Sequence, residues 1–377
     1  MRAIVLLTAA MALALVCTPA QAEQAPDDHE LRSILQELVR MPGGPPGAIV
    51  VLRHGDRTKI YRAGAADLDT GLRPRPDDHM RIASVSKAFS GAVALSLVDL
   101  KKLSLDDTIG ERLPQLPAAW GDVTLRHLLN HTSGLPDYTE SPRFVEELTA
   151  DPRRRFDSRR LLDYVADDPL RFPPGSQYRY SNSDSIAVAL MAEAVSGRSY
   201  ENLLKSVVFN RLHLRSTSLP QHYLLPRPFL HGYEFVPPDP PGDVSTAFGA
   251  SGVWASGGIV STPSDLTAFI RAYAGGKLIS PKTRVQQLRF VDGSSEPAGP
   301  GRNEAGLAIF RYTTRCGVVF GHTGNFFGYT QLAVATPDGR RSPTFSITTR
   351  VSGLIKPEIL AKLRSIQEEY VCALLCR

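Results

Sequence analysis

The sequence predicts an α+β fold, an α/β sandwich in which one antiparallel sheet is completed by both ends of the chain. Runs of β-forming residues occur near the start, at 48–52 and 59–65, and return in the last quarter of the chain. The middle, from about 105 to 240, instead shows helical periodicity and many loops. We therefore expect helices to flank the sheet, with a mostly helical lobe inserted between its first and last strands.

The chain is 377 residues long, which exceeds the size at which one hydrophobic core usually keeps growing. We expect a single catalytic unit over residues 23–377, built from two lobes. The sheet lobe is placed at about 23–80 and 245–377, and the helical lobe at about 81–244.

The first 22 residues are typical of a secretory signal peptide. A cationic start is followed by an apolar run to Val16 and by an A-x-A cleavage site at residues 20–22. The mature protein is expected to begin at Glu23, to be secreted to the periplasm or the exterior, and to lack an integral membrane segment. A lipid attachment at Cys17 is the alternative, but the bulky Val16 before it disfavours that signal.

Composition narrows the class of function. The formal net charge of +5 is typical of a mixed-charge surface, so no nucleic-acid partner is expected. No Cys-x-x-Cys pair and no His-Glu-x-x-His motif occurs, so neither a metal site nor a cofactor is predicted. No Gly-x-Ser-x-Gly motif occurs, which argues against an α/β-hydrolase fold. A monomer is expected.

The first elements are a helix at 28–40 and a β-hairpin. Leucine and isoleucine recur at helical spacing across 28–40, and a Pro-Gly-Gly sequence ends that helix. The runs 48–52 and 59–65 flank Gly55-Asp56, a pair suited to a tight turn. A buried helix then starts at or next to Ser84 and continues to Leu100, because its apolar residues recur at steps of three and four.

Further helices and strands follow. In the middle, helices are predicted at 124–130, 158–166, 183–196 and 200–207. Thr262 caps another helix, which has Pro263 at its first position and ends at Gly275-Gly276. Strands are then predicted at 305–313, 317–322, 328–336 and 343–351, with a hairpin turn at 337–339, and a helix at 357–375 ends the chain.

The first chemical motif is Ser84-Val85-Ser86-Lys87. A spacing of three places Ser84 and Lys87 on one helix face, where a lysine of lowered pKa can deprotonate the hydroxyl. The start of the helix would also direct backbone N–H groups toward an oxyanion at Ser84. Ser84 is therefore the predicted nucleophile and Lys87 its base.

Two more motifs follow in order, Tyr180-Ser181-Asn182 and His322-Thr323-Gly324. Each of the three motifs is weak alone, but their joint expectation by chance is only about 0.005. A competing nucleophile at His131 and Ser133 is disfavoured, because Asn130-His131-Thr132-Ser133-Gly134 follows a helix and is typical of turn and capping residues.

In this order the motifs resemble the active-site signature of the penicillin-recognising serine hydrolases. The chain is most similar to the branch of class C β-lactamases and serine-type D-Ala-D-Ala carboxypeptidases. The stretches 128–135 and 257–266 agree, so the resemblance extends along the mature chain. It implies a β-lactamase/transpeptidase-like fold and hydrolysis through an acyl-enzyme.

The resemblance also implies roles for individual residues. Lys87 and Tyr180 would move the proton of Ser84 to the leaving group, and the backbone N–H groups of Ser84 and Asn325 would form the oxyanion hole. The substrate would be bound by Asn182, His322, Thr323 and Gly324, with Thr323 meeting its carboxylate.

Two further side chains are candidates for the cleft around the site, and a disulfide is expected near it. Arg311 is the candidate cation for a substrate carboxylate, with a solvated strand residue as the alternative. Trp254 is a candidate wall of the cleft, with a core position as the alternative. The resemblance also implies a disulfide between Cys316 and Cys372, which would leave Cys376 free.

The predicted activity is that of a D-alanyl-D-alanine carboxypeptidase on peptidoglycan-type peptides. His322 favours it, because most β-lactamases of this branch carry lysine there. The expected ligand is a peptide ending in D-Ala-D-Ala or a β-lactam. A class C-like β-lactamase, an esterase or D-amino-acid amidase, and a non-catalytic penicillin-binding or wall-sensing domain remain alternatives.

Overall fold

The computed structural model describes residues 26–235 and 239–376. The predicted signal peptide and Cys17 lie outside the described residues. Among the helices of the described part, none is long and apolar enough to cross a bilayer.

Both ends of the chain contribute strands to one antiparallel sheet of eight strands, as predicted. The described residues form twelve strands in all: β1 (Gly47–His54), β2 (Arg57–Gly64), β3 (Met80–Arg81), β4 (Tyr233–Glu234), β5 (Gly242–Asp243), β6 (Val260–Ser261), β7 (Val291–Asp292), β8 (Arg302–Ala305), β9 (Phe310–Thr314), β10 (Gly317–Phe326), β11 (Tyr329–Ala335) and β12 (Arg341–Ile347). The order across the sheet is β2-β1-β12-β11-β10-β9-β8-β7, and β3 with β6 and β4 with β5 form two small additional sheets. The β1–β12 pairing joins the beginning of the chain to its end.

Helices pack on the sheet and form most of the middle of the chain. The α-helices are α1 (Asp28–Arg40), α2 (Ser86–Asp99), α3 (Ile109–Arg112), α4 (Leu125–Leu129), α5 (Pro142–Ala150), α6 (Asn182–Ser196), α7 (Tyr200–Leu203), α8 (Trp254–Gly257), α9 (Pro263–Ala274), α10 (Pro281–Gln287) and α11 (Pro357–Leu375). The predicted helix at 158–166 is a 3₁₀ helix over Ser158–Tyr164, and α7 continues into a π-helical segment, Leu204–Phe209.

Burial of the sheet on both faces explains why β1 is apolar along most of its length. Side chains alternate between the two faces of a strand. Ala48 and Val50 pack in the hydrophobic cluster that contains residues of α1 and α11, whereas Ile49 between them packs in the cluster that contains residues of α9. The sheet is therefore the middle layer of a sandwich, which confirms the predicted fold class. The exact division into two lobes stays a prediction.

One predicted strand, 305–313, is wrong. The structure divides it into β8 and β9, because the chain turns between them. Ala308 in this turn has a φ of 53° and donates its backbone N–H to the Leu129 carbonyl at 2.6 Å. The hydrophobic residues of the turn pack into the core, which explains why their pattern resembled that of a continuous strand.

The predicted helix starts and ends are otherwise close to the observed ones. Thr262 accepts a hydrogen bond from the Asp265 N–H at the start of α9, and α11 has the predicted bounds. The turn at 337–339 connects β11 to β12, with Gly339 at a φ of 68°. These ends were predictable because caps, prolines and glycines act locally.

The predicted disulfide between Cys316 and Cys372 is confirmed, and Cys376 is free and exposed. The bond connects the turn before β10 to the buried side of α11. Strand β10 carries the third chemical motif. The disulfide therefore fixes this strand against the C-terminal helix α11.

The disulfide yields a prediction about stability. It closes a loop with a sequence separation of 56 residues, and removing such a constraint lowers the free energy of unfolding by about 2–4 kcal/mol. We expect the double variant Cys316→Ala/Cys372→Ala to unfold at a clearly lower denaturant concentration in equilibrium chemical denaturation.

Cys376→Ala is the matched control, since this thiol is exposed and unbonded. It should unfold with the wild-type midpoint. Equal midpoints for the double variant and the wild type would show that the bond does not stabilise the fold.

Candidate active site

Ser84 lies in a single 3₁₀ turn, Ala83–Val85, immediately before α2. The preceding residue, Ala83, has a φ of 49°, a left-handed conformation that costs a non-glycine residue about 1–3 kcal/mol. Helix α2 behind the turn is buried over nearly its whole length. The nucleophile therefore sits on a sharp bend that is supported by a rigid central helix.

Lys87, the second residue of α2, is buried and contacts Ser84 directly. Its Nζ lies 3.0 Å from Ser84 Oγ, 2.7 Å from Asn182 Oδ1 and 2.9 Å from the Ser256 carbonyl oxygen. Three acceptors thus satisfy the three N–H bonds of the ammonium form. When Lys87 is neutral, two N–H bonds can serve Asn182 and Ser256, which leaves the lone pair for the Ser84 hydroxyl.

Burial lowers the pKa of Lys87 from 10.5 to about 7, because water is excluded from the ammonium group. The nearby carboxyl groups of Asp137, Glu296 and Asp184 act in the opposite direction, but burial outweighs them. A base with a pKa near neutrality is well suited to proton abstraction. Lys87 can therefore accept the Ser84 proton at neutral pH.

Tyr180 lies next to this pair. Lys87 Nζ is 4.8 Å from the centre of the Tyr180 ring. Burial raises the pKa of Tyr180 well above 10, although the nearby Ser84 hydroxyl lowers it. Among the described residues no group completes a conventional hydrogen bond with the Tyr180 hydroxyl. Tyr180 is thus protonated at rest, which makes it a group that can relay a proton rather than the resting base.

Asn182 is the first residue of α6, and Asp137 holds it in place. Asp137 Oδ2 accepts hydrogen bonds from the backbone N–H of Asn182 at 2.8 Å and from its side-chain amide at 2.9 Å. The amide NH₂ also donates to Thr139 Oγ1. These bonds fix the amide so that its oxygen faces Lys87. Asp137 was not predicted, since nothing in the sequence relates it to Asn182.

Strand β10 carries His322, Thr323 and Gly324 past the Ser84 turn. A side chain on Gly324 would lie 2.4 Å from the Ile82 carbonyl oxygen, so only glycine lets the strand come this close. Burial and the nearby Lys87 lower the pKa of His322 to about 3, so this imidazole is neutral. The structure thus brings the third motif next to the other two.

The predicted contact of Thr323 with substrate is not available in this structure. Thr323 Oγ1 donates to the carbonyl of Pro297, in the segment 294–298, at 2.7 Å, and both Thr323 and His322 are buried. Neither side chain reaches the cleft that leads to Ser84. Sequence could not indicate this, because the covering segment lies 26 residues away from Thr323.

Asn325 lies at the edge of the same cleft as Ser84. Its side-chain oxygen accepts from Thr330 Oγ1 and from the Val351 N–H, so the side chain is bound to neighbouring strands and loops. This fixes the backbone of Asn325 near the nucleophile. The oxyanion hole of Ser84 and Asn325 stays a prediction.

The cleft that leads to Ser84 has a volume of about 1040 Å³ and mainly apolar walls. Helix α5 contributes Phe144, Val145 and Leu148 to its lining, and Phe326 and Phe327, which follow the motif on β10, also line it. A ligand at Ser84 would therefore contact apolar surface.

Two charged side chains line this cleft, Glu296 and Arg350. Burial and the nearby Asp137 raise the pKa of Glu296, while Lys87 lowers it. Arg350 stacks on the Phe327 ring at 4.3 Å, and its Nε lies 3.5 Å from Glu234 Oε1. The cleft thus offers one acidic and one basic group to a ligand, and neither was predicted.

Two predicted site residues lie elsewhere. Arg311 is ion-paired with Glu304 on the neighbouring strand, at 2.5 Å, and does not line the cleft. Trp254 is fully buried and donates its indole N–H to Glu201 at 2.9 Å. A strand pairing and a core contact, neither visible in one sequence, explain these two corrections.

A buried cluster of His131, Ser133 and Asp184 lies behind Tyr180. His131 Nδ1 is 2.7 Å from Asp184 Oδ2, and Ser133 Oγ donates to Asp184 Oδ1 at 2.5 Å. All three residues are buried away from the cleft, so Ser133 is not a second nucleophile. Asp184 was not predicted, because its spacing from His131 follows no local motif.

Comparisons with known proteins agree with this geometry. A family model described as Beta-lactamase matches residues 31–352. Penicillin-binding protein 4* of Bacillus subtilis (strain 168) is 25% identical over 312 residues, 78% of this chain and 66% of its own length. The D-aminopeptidase of Gluconobacter oxydans (strain 621H) is 27% identical over 274 residues, 70% of this chain and 49% of its own length. The chain therefore spans less than two thirds of the length of these curated relatives.

A solved structure is similar over a larger share of its own chain. The D-stereospecific amidohydrolase from Streptomyces sp. has a TM-score of 0.77 and 27% identity, and the match covers 90% of this chain and 98% of the other.

The lysine pKa yields a prediction about pH. Because Lys87 is neutral above a pKa of about 7, reaction of Ser84 with a fluorophosphonate probe should accelerate as the pH rises from 6 to 8. In Lys87→Met the reaction should be slower by a factor of about 10²–10⁴, the usual contribution of a positioned base, and the acceleration around pH 7 should be lost.

Lys102→Met, at an exposed lysine just after α2, is the control and should keep the wild-type profile. Labelling of the wild type that is independent of pH over this range would contradict the assignment of Lys87 as the base.

Proposed function

The chain belongs to the Beta-lactamase family of serine hydrolases, and from this premise we propose that it cleaves small amides or peptides of D-amino acids through an acyl-enzyme at Ser84. The observation that carries this proposal is the direct contact between Ser84 Oγ and a buried Lys87 whose pKa is near neutral.

The reaction follows from the positions of these groups. Lys87 accepts the proton of Ser84 as the oxygen attacks the substrate carbonyl, and the N–H groups at Ser84 and Asn325 stabilise the resulting oxyanion. Tyr180 gives its proton to the leaving amine as the C–N bond breaks, and Lys87 passes the serine proton on to Tyr180, so both groups return to their resting states. Water then attacks the ester at Ser84 and gives a proton to the Lys87–Tyr180 pair, and this proton returns to Ser84 as the acid is released.

The acidic group in the cleft supports a substrate with a free α-amino group. Glu296 lines the same cleft as Ser84 and lies close enough to Lys87 for each to shift the pKa of the other. An ammonium group bound at Glu296 would neutralise this carboxylate. The names of the Gluconobacter and Streptomyces proteins, a D-aminopeptidase and a D-stereospecific amidohydrolase, support the same substrate class.

The apolar walls support a bulky apolar group on the substrate. Burying an apolar side chain contributes about 1.5–3 kcal/mol relative to leaving it in water. Phe144, Leu148 and Phe326 offer such surface in the cleft that leads to Ser84. We therefore infer a preference for D-amino-acid amides with aromatic or large aliphatic side chains.

A D-Ala-D-Ala carboxypeptidase is the second candidate, and Arg350 is the observation that favours it. This guanidinium lines the cleft and could bind a terminal carboxylate, the role first predicted for Arg311. The penicillin-binding relative from Bacillus subtilis adds support by its name. The contact of Arg350 with Glu234 would compete with such binding, which places this candidate second.

A substrate panel tests the proposal. We expect the wild-type protein to release ammonia from D-phenylalanine amide at least 10-fold faster than from L-phenylalanine amide, and Ser84→Ala to lose this activity and all labelling by a fluorophosphonate probe. Ser86→Ala is a matched control at the neighbouring serine, whose hydroxyl accepts from the Ile259 N–H instead of facing Lys87.

The same panel includes a peptide ending in D-Ala-D-Ala and nitrocefin. Release of D-alanine without cleavage of the amide would favour the carboxypeptidase, and rapid nitrocefin hydrolysis alone would favour the β-lactamase. Undiminished labelling of Ser84→Ala would refute the nucleophile itself.

Glu296 yields a separate prediction about substrate charge. A hydrogen bond to a charged group contributes about 1.5–3 kcal/mol, so Glu296→Gln should raise KM for D-phenylalanine amide by roughly 10- to 100-fold. KM for p-nitrophenyl butyrate, which has no amino group, should change little.

Glu146→Gln removes an exposed carboxylate from α5, next to the residues of the cleft wall, and serves as the charge-matched control. Equal effects of Glu296→Gln on both substrates would show that Glu296 does not recognise the amino group.

A further inference from the structure

We propose that His131 is the positioning residue of Tyr180, and that Asp184 and Ser133 hold His131 in place. The proposal rests on the acyl-enzyme function above, because it concerns the proton relay through Tyr180. It assigns a purpose to the motif Asn130-His131-Thr132-Ser133-Gly134, which the turn and capping interpretation leaves incomplete.

The backbone of His131 is strained. It follows α4 with a φ of 59°, in the left-handed conformation that glycine usually adopts after a helix. A non-glycine residue there costs about 1–3 kcal/mol. Contacts of the surrounding structure must offset this cost, and the contacts of the His131 side chain are among them.

The segment 131–134 binds the backbone that leads to Tyr180. The carbonyl oxygens of His131, Thr132 and Gly134 accept hydrogen bonds from Arg179, Gly175 and Arg171, at 2.9, 2.7 and 2.8 Å. The first of these bonds is to the residue directly before Tyr180. The His131 turn therefore fixes the backbone on which the tyrosine is carried.

The His131 ring also supports the Tyr180 ring. Their centroids are 4.5 Å apart, and Lys87 Nζ lies 4.8 Å from the Tyr180 ring centre. Among the described residues the Tyr180 hydroxyl makes no hydrogen bond of full geometry, although it lies near the Ser84 hydroxyl, so packing of the ring contributes to its position. The position of the ring depends on these packing contacts.

Asp184 and Ser133 in turn fix His131. Asp184 accepts from Ser133 Oγ and contacts His131 Nδ1, and Ser133 Oγ also accepts the Leu135 N–H at 3.0 Å. Asp184 itself is in the first turn of α6, the helix that follows Tyr180. The imidazole is thus held by a side chain of the helix that begins just after the tyrosine.

The charge state of this cluster suits the site. Burial lowers the pKa of His131 to about 3 and raises that of Asp184 well above 3.8, so both are driven to their uncharged forms. In its charged form Asp184 raises the pKa of Lys87, so burial of the pair in uncharged forms helps to keep that lysine neutral.

A double-mutant cycle with Tyr180→Phe tests the proposal. The substrates are methyl butyrate and p-nitrophenyl butyrate, which share an acyl group but differ in how much their leaving group needs a proton. Loss of the proton relay should lower kcat/KM for the methyl ester by about 100-fold or more, and for the p-nitrophenyl ester by less than about 10-fold.

His131→Ala should show the same asymmetry as Tyr180→Phe, and it should have almost no further effect in the Tyr180→Phe background. Equal losses on the two esters, or effects that multiply in the double variant, would overturn the proposal and leave His131 as a residue of general stability.

Two further variants distinguish a loss of positioning from a loss of folding or stability. His131→Asn accepts the left-handed backbone but is too short to reach under the Tyr180 ring, so it should repeat the asymmetry if His131→Ala fails to fold. His127→Ala, at a half-buried histidine that caps the same helix, controls for lost stability and should affect both esters equally.

Ser84→Ala separates this proposal from the proposed function. It should abolish turnover of both esters, and turnover that persists would refute the acyl-enzyme at Ser84 whatever the result at His131. Wild-type protein that cleaves the esters but not D-amino-acid amides would refute the proposed substrate class, while the double-mutant cycle would still decide the role of His131.

Discussion

The burial of the Lys87 amino group is the constraint on which the rest of the site depends. A lysine excluded from water loses the hydration of its charged form, and its pKa falls to about 7. A buried lysine also needs hydrogen-bond acceptors for its N–H bonds. Ser84, Asn182 and the Ser256 carbonyl provide three of them. These groups belong to three separate parts of the chain, so the base exists only when these parts are packed together.

The sheet gives this packing its rigidity. Strand β10 lies against the Ser84 turn with no room for a side chain at Gly324, and the Cys316–Cys372 bond connects the same strand to α11. The β1–β12 pairing joins the first strand of the chain to the last within this sheet. The nucleophile is therefore held between a buried helix and a fixed strand, which suits a reaction in which atoms must stay within hydrogen-bond distance.

Local signals in the sequence predicted most of the fold and the centre of the site. Caps, glycines and apolar periodicity act within a few residues, so α9, α11 and the hairpin of β1 and β2 could be recognised from them. The motifs of Ser84 and Tyr180 were found for the same reason.

Asp137, Asp184 and Glu296 were missed, because each acts through contacts with residues distant in sequence. Arg311 was assigned wrongly, since its partner Glu304 lies on the next strand.

The balance of charge around Lys87 bears on the choice of substrate. Burial lowers its pKa while the carboxyl groups of Asp137 and Glu296 oppose that shift, and His322 stays neutral. A substrate ammonium at Glu296 would cancel one of the opposing charges and keep Lys87 neutral. A substrate carboxylate bound nearby would raise the Lys87 pKa and favour the protonated form, which cannot act as a base. The electrostatics of the base therefore favour a cationic substrate over an anionic one.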